Sequence, residues 1–101
     1  MSLKKQYFEK KPSCKVTFRL SKNEAGPAKK VNLVGDFNKW NHKGSPMKQL
    51  KSGDFTVSLD LEKGKEYQFR YLIDGSTWVN DHAADRYVIN EFLSENSVVV
   101  V

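Results

Sequence analysis

The feature that most constrains the fold is an alternation of apolar and polar residues that recurs between short turn sequences. It is clearest at residues 13–20, and it appears again at 55–61 and 67–73. A period of two places every second side chain on the same face of an extended strand. No apolar stripe with the 3.6-residue period of a helix competes with it. The chain is therefore predicted to be all-β.

Turn sequences rich in glycine, proline and aspartate separate these segments about every 8–12 residues, a spacing typical of β-sandwiches. Shorter strands are predicted at 31–34, 78–79, 87–89 and 97–101. A chain of 101 residues has the length of one domain. We predict an immunoglobulin-like β-sandwich of about seven strands over residues 13–101, preceded by a polar, flexible leader at 1–12.

The sequence contains no recognisable catalytic or metal-binding motif. Cys14 is the only cysteine, which excludes a disulfide framework and a thiolate zinc site and fits a reducing, cytoplasmic location. His42 and His82 lie in predicted loops without a third ligand at metal-like spacing. The acidic residues fall in turns rather than in a recognisable catalytic pair, and no nucleophile elbow or phosphate-binding glycine loop is present. We therefore predict no catalytic residue, no metal and no cofactor.

The positive charge of the chain is concentrated in its first half. Residues 1–51 carry thirteen Lys and Arg against three acids, a net charge of +10, whereas residues 52–101 carry four against nine, a net charge of −5. Such asymmetry can indicate a surface for nucleic acid or for an acidic protein. The basic residues are scattered and no nucleic-acid-binding motif accompanies them, so we interpret them as solvated lysines. Neither nucleic acid nor a membrane is a predicted partner.

Four residues outside the predicted core have side chains suited to binding. Trp40 lies in a polar loop after the 31–34 strand, where it either caps the core or offers a flat face to a ligand. Trp78 follows a predicted hairpin turn, and simple hairpin packing explains it equally well. Arg70 has the strand parity opposite to the apolar set, so it faces away from the core, and Asn96 precedes the last strand. Flat aromatic rings with amide and guanidinium donors are the chemistry that recognises sugar rings.

Several motifs, in order, resemble one family. They are VNLVGDFNKW at 31–40, Met47-Lys48, YQFRYLIDG at 67–75, Trp78, Asn80-Asp81 and NSVVVV at 96–101. The chain is similar over about residues 13–101 to the starch- and glycogen-binding module at the N-terminus of isoamylases and branching enzymes. The same module occurs within the β subunits of AMP-activated protein kinases.

The resemblance implies an early-set immunoglobulin-like sandwich that binds α-1,4-glucans such as glycogen, starch and maltooligosaccharides without catalysis. It implies that Trp40 and Trp78 stack on glucose and that Arg70 and Asn96 hydrogen-bond to its hydroxyls. An apolar residue before the last strand would press against the glucan. The resemblance assigns this contact to Phe92 or Leu93, with Ser94 as a nearby hydroxyl.

Two positions depart from the family pattern. The usual D-G-x-W is one residue longer here, at 74–78, and Phe92-Leu93 replaces an apolar residue followed by glycine. Two alternatives to a free-standing glucan-binding module remain. The scaffold could instead dock an acidic protein through its basic half. It could also serve as an accessory domain of a separately encoded amylase-family or other glycogen-metabolising enzyme.

Overall fold

A computed structural model describes residues 3–101, in which antiparallel strands form two facing sheets. The strands are β1 (Leu3–Tyr7), β2 (Ser13–Leu20), β3 (Val31–Gly35), β4 (Lys48–Gln49), β5 (Phe55–Glu62), β6 (Glu66–Ile73), β7 (Thr77–Val79), β8 (Arg86–Ile89) and β9 (Glu95–Val100). A single helical turn, α1 (Lys22–Ala25), follows β2, and a 3₁₀ turn (Asp36–Asn38) follows β3. Within residues 3–101, no helix is long and apolar enough to cross a membrane.

The first sheet has the strand order β1-β2-β5-β4 and the second has the order β3-β6-β9-β8. The short β7 also pairs with β6, at Tyr71, Leu72 and Ile73, whereas β9 pairs with the other end of β6. Because β3 occupies the opposite edge of β6, β7 and β9 lie end to end along one edge. This arrangement brings the β7 side chains next to the β6–β9 junction.

The core lies between the sheets and is built from the alternating residues of the long strands. Cys14 and Phe18 of β2 are fully buried, as are Phe69 and Tyr71 of β6. The rings of Phe18 and Phe69 meet edge to face, with centroids 5.1 Å apart. Burial of each large apolar side chain contributes about 1.5–3 kcal/mol, so this set suffices to hold a small sandwich together. The all-β sandwich predicted from the alternation is confirmed, and Cys14 is a core residue.

The predicted flexible leader is wrong for part of its length. Residues 1 and 2 lie outside the described residues, but Leu3–Tyr7 forms β1 and pairs with β2 along its whole length. Only Leu3 is buried in this strand, and lysines occupy the following two positions. Charged, mostly exposed residues are typical of an edge strand, which therefore lacks the alternation on which the prediction depended.

The outer face of the second sheet is partly covered. Directly paired residues on neighbouring strands share a face, so Val34 lies beside Arg70, and Leu72 beside Trp78, on the side away from the core. Val34 and Leu72 are nonetheless buried. Loops and the Trp78 side chain therefore cover an apolar patch on this outer face, and the candidate site is built on that patch.

Candidate functional site

A cleft of about 430 Å³, here called the outer cleft, opens on this covered face. Its volume lies in the range of small-molecule sites in proteins. The residues that line it are Trp40, His42, Gln68, Arg70, Trp78, Asn90, Glu91, Phe92 and Asn96. Three kinds of element supply them: the outward positions of β6, β7 and β9, the loop after β3, and the loop between β8 and β9.

Trp40 is held in place by the loop that follows β3. Lys39 and Trp40 both have left-handed backbone angles, with φ of 57° and 58°, which non-glycine residues adopt only when their surroundings require it. The backbone N–H of Trp40 donates to the Gly35 carbonyl at 2.9 Å, and its indole N–H donates to Asp36 at 2.9 Å. The same Asp36 carboxylate accepts the backbone N–H of Gln68 at 2.8 Å, which ties the loop to β6.

Trp78 is fixed by contacts with two neighbouring side chains. The ring of His42 meets it edge to face at a centroid distance of 5.1 Å, and the Arg70 guanidinium carbon lies 5.6 Å from the Trp78 ring centroid. Such aromatic and cation–π contacts orient a ring without burying it completely. Trp78 still pairs with Leu72, so the longer turn before it leaves the ring on the cleft side of the sheet.

Both tryptophans are half-buried and lie outside the hydrophobic core. The alternative in which Trp40 caps the core therefore does not describe its position. Simple hairpin packing also does not describe Trp78, because its neighbours His42 and Arg70 belong to the cleft lining. Both side chains line the same opening.

A chain of side-chain amides crosses the floor of the cleft. The Asn90 amide donates to the Asn96 carbonyl oxygen at 3.2 Å, and the Asn96 amide donates to the Gln68 carbonyl oxygen at 3.1 Å. Beside them, the buried Nε of Arg70 has no hydrogen-bond partner within residues 3–101. An unpaired buried donor is unfavourable unless a ligand or water accepts from it. The floor is thus preorganised to exchange hydrogen bonds with hydroxyl groups.

Asn90 also shapes the loop between β8 and β9. Its side-chain oxygen accepts the backbone N–H groups of Phe92 at 2.9 Å and Ser94 at 3.1 Å. The backbone N–H of Asn90 donates to the Ser94 carbonyl oxygen at 2.7 Å. Leu93 has a φ of 61° at the loop tip. Phe92 and Leu93 are 80% and 89% exposed, a large apolar area for a solvated loop.

The outer cleft brings together five of the seven residues that sequence analysis predicted for a sugar site. These are Trp40, Arg70, Trp78, Phe92 and Asn96. Leu93 and Ser94 belong to the same loop as Phe92 but do not line the cleft.

Four lining residues were missed. Gln68 shares the strand parity of Arg70, so the argument that placed Arg70 outside the core would have found it. His42, Asn90 and Glu91 lie in loops, whose paths the strand pattern does not predict.

Within residues 3–101, no group of three or more His, Cys, Asp and Glu side chains could hold a metal ion. The Tyr71 hydroxyl donates to Asp81 at 2.6 Å, and Asp81 is itself buried. Burial, reinforced by the Asp81 carboxylate, raises the pKa of Tyr71 well above its ordinary value. This pair lies on the core side of the second sheet, where it contributes to the fold.

Comparison with protein families identifies a match. The model of the family described as the glycogen recognition site of AMP-activated protein kinase matches residues 17–98. The matched region runs from within β2 to within β9 and includes every residue that lines the outer cleft. The comparison with curated proteins gave no match.

Proposed function

Because the chain belongs to the family of the glycogen recognition site of AMP-activated protein kinase, we propose that it binds α-1,4-glucan in the outer cleft. Glycogen, starch and maltooligosaccharides would share this site, and binding would proceed without catalysis. The proposal rests above all on one observation: two half-exposed indole rings and a set of fixed hydrogen-bonding groups line the same cleft.

Each kind of side chain matches a different part of a glucose residue. A pyranose ring has a flat face of C–H groups, which packs on an indole, so Trp40 and Trp78 are the stacking platforms. Its hydroxyls both donate and accept, which suits Arg70 and the amides of Gln68 and Asn96. Phe92 extends the apolar wall, and Leu93 and Ser94 would meet the glucan only where it leaves the cleft.

The expected affinity for a short glucan is weak. If each indole removes about 100 Å² of apolar surface from water, the two contribute about 5 kcal/mol. Three hydrogen bonds add about 1 kcal/mol each, and association costs at least about 4 kcal/mol. The net of about 4 kcal/mol corresponds to a dissociation constant near 1 mM, which a polymer with many equivalent registers improves. Binding of this strength suits localisation on a polysaccharide.

Removal of either platform tests the proposal. Trp40→Ala and Trp78→Ala should each weaken binding by about 2.5 kcal/mol, or about 60-fold, and abolish retention on immobilised glycogen or amylose. Tyr7→Ala is the matched control, because Tyr7 is an aromatic residue 54% exposed on β1 of the other sheet. Thermal unfolding checks that each variant folds. Wild-type retention by both tryptophan variants would show that the outer cleft is not the glucan site.

Ionic strength separates this mode of binding from a charge-driven contact. Stacking on a neutral sugar should change little between 0.05 and about 0.5 M salt, whereas docking of an acidic protein on the lysine-rich half should weaken steeply. Retention on glycogen that disappears with salt would therefore contradict stacking as the main interaction.

A further inference from the structure

A second pocket, here called the lysine pocket, adjoins the outer cleft. It has a volume of about 540 Å³, and its lining includes Lys29, Lys30, Lys43 and Asp74. His42 lines both the lysine pocket and the outer cleft, so the two openings meet at this residue.

The two openings follow the same strand. Arg70 of β6 lies in the outer cleft, Leu72 lies on the same face two residues later, and Asp74 follows in the turn after β6. At about 3.3 Å per residue, four residues span about 13 Å. A ligand that follows β6 past Trp78, which pairs with Leu72, would therefore reach the lysine pocket.

The lysine pocket carries an excess of positive charge. Lys29, Lys30 and Lys43 take part in none of the salt bridges found within residues 3–101. Asp74 is the acidic residue of the lining, and its carboxylate accepts the backbone N–H groups of Lys29 at 3.0 Å and Lys30 at 2.9 Å. Lys29, Lys30 and Lys43 are exposed, and these three lysines against one aspartate give the lining a net charge of +2 from lysine and aspartate alone.

We propose that the lysine pocket binds a phosphate monoester carried by the glucan that occupies the outer cleft. The inference rests on the proposed function and adds a substrate class to it: phosphorylated α-glucan. A neutral sugar carries no charge that would balance the excess positive charge of this lining. A phosphate monoester carries a charge of about −1.5 to −2 at neutral pH, which complements the net charge of the pocket. Lysine is well suited to bind phosphate as a point charge.

The same observation changes the interpretation of the charge asymmetry in the sequence. Lys29, Lys30 and Lys43 were interpreted as scattered, solvated residues because no sequence motif joins them. The fold places all three around one concavity next to the outer cleft. A partly exposed pocket of this charge should favour the phosphorylated ligand by about tenfold at low salt, and the preference should shrink as salt screens it.

The test is an NMR titration of the whole chain with three probes at low salt. The probes are maltoheptaose, maltoheptaose carrying a single 6-phosphate, and inorganic phosphate. The test variant is Lys29→Gln/Lys30→Gln/Lys43→Gln. The matched control, Lys4→Gln/Lys15→Gln/Lys48→Gln, removes the same charge from exposed lysines of the first sheet.

The inference predicts that the wild-type protein and the control prefer the phosphorylated sugar by about tenfold, and that the test variant binds both sugars equally. A wild-type protein without this preference, or an equal loss in test and control variants, would overturn the phosphate subsite while plain maltoheptaose still bound. Inorganic phosphate that binds as tightly as the phosphorylated sugar would overturn the link to the outer cleft. If neither sugar bound, the proposed function would fail and this inference with it.

Discussion

Asn90 provides a demanding test of the site, because it lines the outer cleft but the proposed function assigns it no direct contact with the sugar. Its side chain makes three hydrogen bonds: it accepts from the backbones of Phe92 and Ser94, and it donates to Asn96. The first two hold the loop that carries Phe92, and the third orients an amide on the cleft floor. Substitution of Asn90 should therefore weaken glucan binding through the geometry of its neighbours.

The magnitude follows from counting these bonds. Asn90→Ala removes the two loop bonds and the bond to Asn96, each worth about 1 kcal/mol, so a glucan would have to restore this geometry on binding at a cost of about 3 kcal/mol. That corresponds to about 150-fold weaker binding. Affinity electrophoresis measures it as the glycogen concentration in the gel that halves the mobility of the protein.

Asn90→Asp is the matched variant. Its carboxylate keeps the acceptor for Phe92 and Ser94 but cannot donate to Asn96, so the expected loss is about 1 kcal/mol, or about fivefold. We predict that glycogen affinity decreases in the order wild type, Asn90→Asp, Asn90→Ala. Wild-type affinity in Asn90→Ala would refute it, because the 90–94 loop would then lie outside the site.

Two further predictions concern the scaffold beneath the cleft. Tyr71→Phe should destabilise the fold by about 1–3 kcal/mol, because it removes the hydroxyl that donates to the buried Asp81, and denaturant unfolding measures the loss. The folded-state pKa of Tyr71 is raised above 10.0, chiefly by burial, so wild-type stability should fall as pH rises past about 10, and the Phe variant should lack this component of the alkaline loss. Gly35→Ala should lower the free energy of unfolding by at least about 1–3 kcal/mol. The added Cβ would lie 2.4 Å from the Gln68 carbonyl oxygen and 2.8 Å from Phe69 Cβ. A Gly35→Ala melting temperature equal to that of wild type would show that β3 and β6 can separate freely.

Strand periodicity predicted the parts of the structure that depend on burial. The long strands β2, β5 and β6 were predicted from the sequence, because the side chains of each alternate between the core and the outer face of the sheet. The same rule placed Arg70 on the outer face, where it is found. It failed for β1, since an edge strand that buries only Leu3 leaves almost no alternation to detect.

The loop-borne half of the site depends on contacts that no local pattern encodes. His42 reaches Trp78 because the loop after β3 folds back over β6, and Asn90 joins the cleft floor through a bond to Asn96. Both residues are ordinary loop types in the sequence. The family resemblance predicted the residues that match its motifs, Trp40 and Trp78 among them. It could not predict residues that reach the cleft only through the path of a loop.

The central claim is that Trp40 and Trp78 stack on the same glucan chain. An NMR titration of ¹⁵N-labelled protein with maltoheptaose tests it most directly. The two indole N–H signals are separate probes at the two platforms. The account predicts that both signals shift with the same dissociation constant, because both rings belong to one cleft. Shifts in neither signal, in only one of them, or in both with clearly different constants would contradict it.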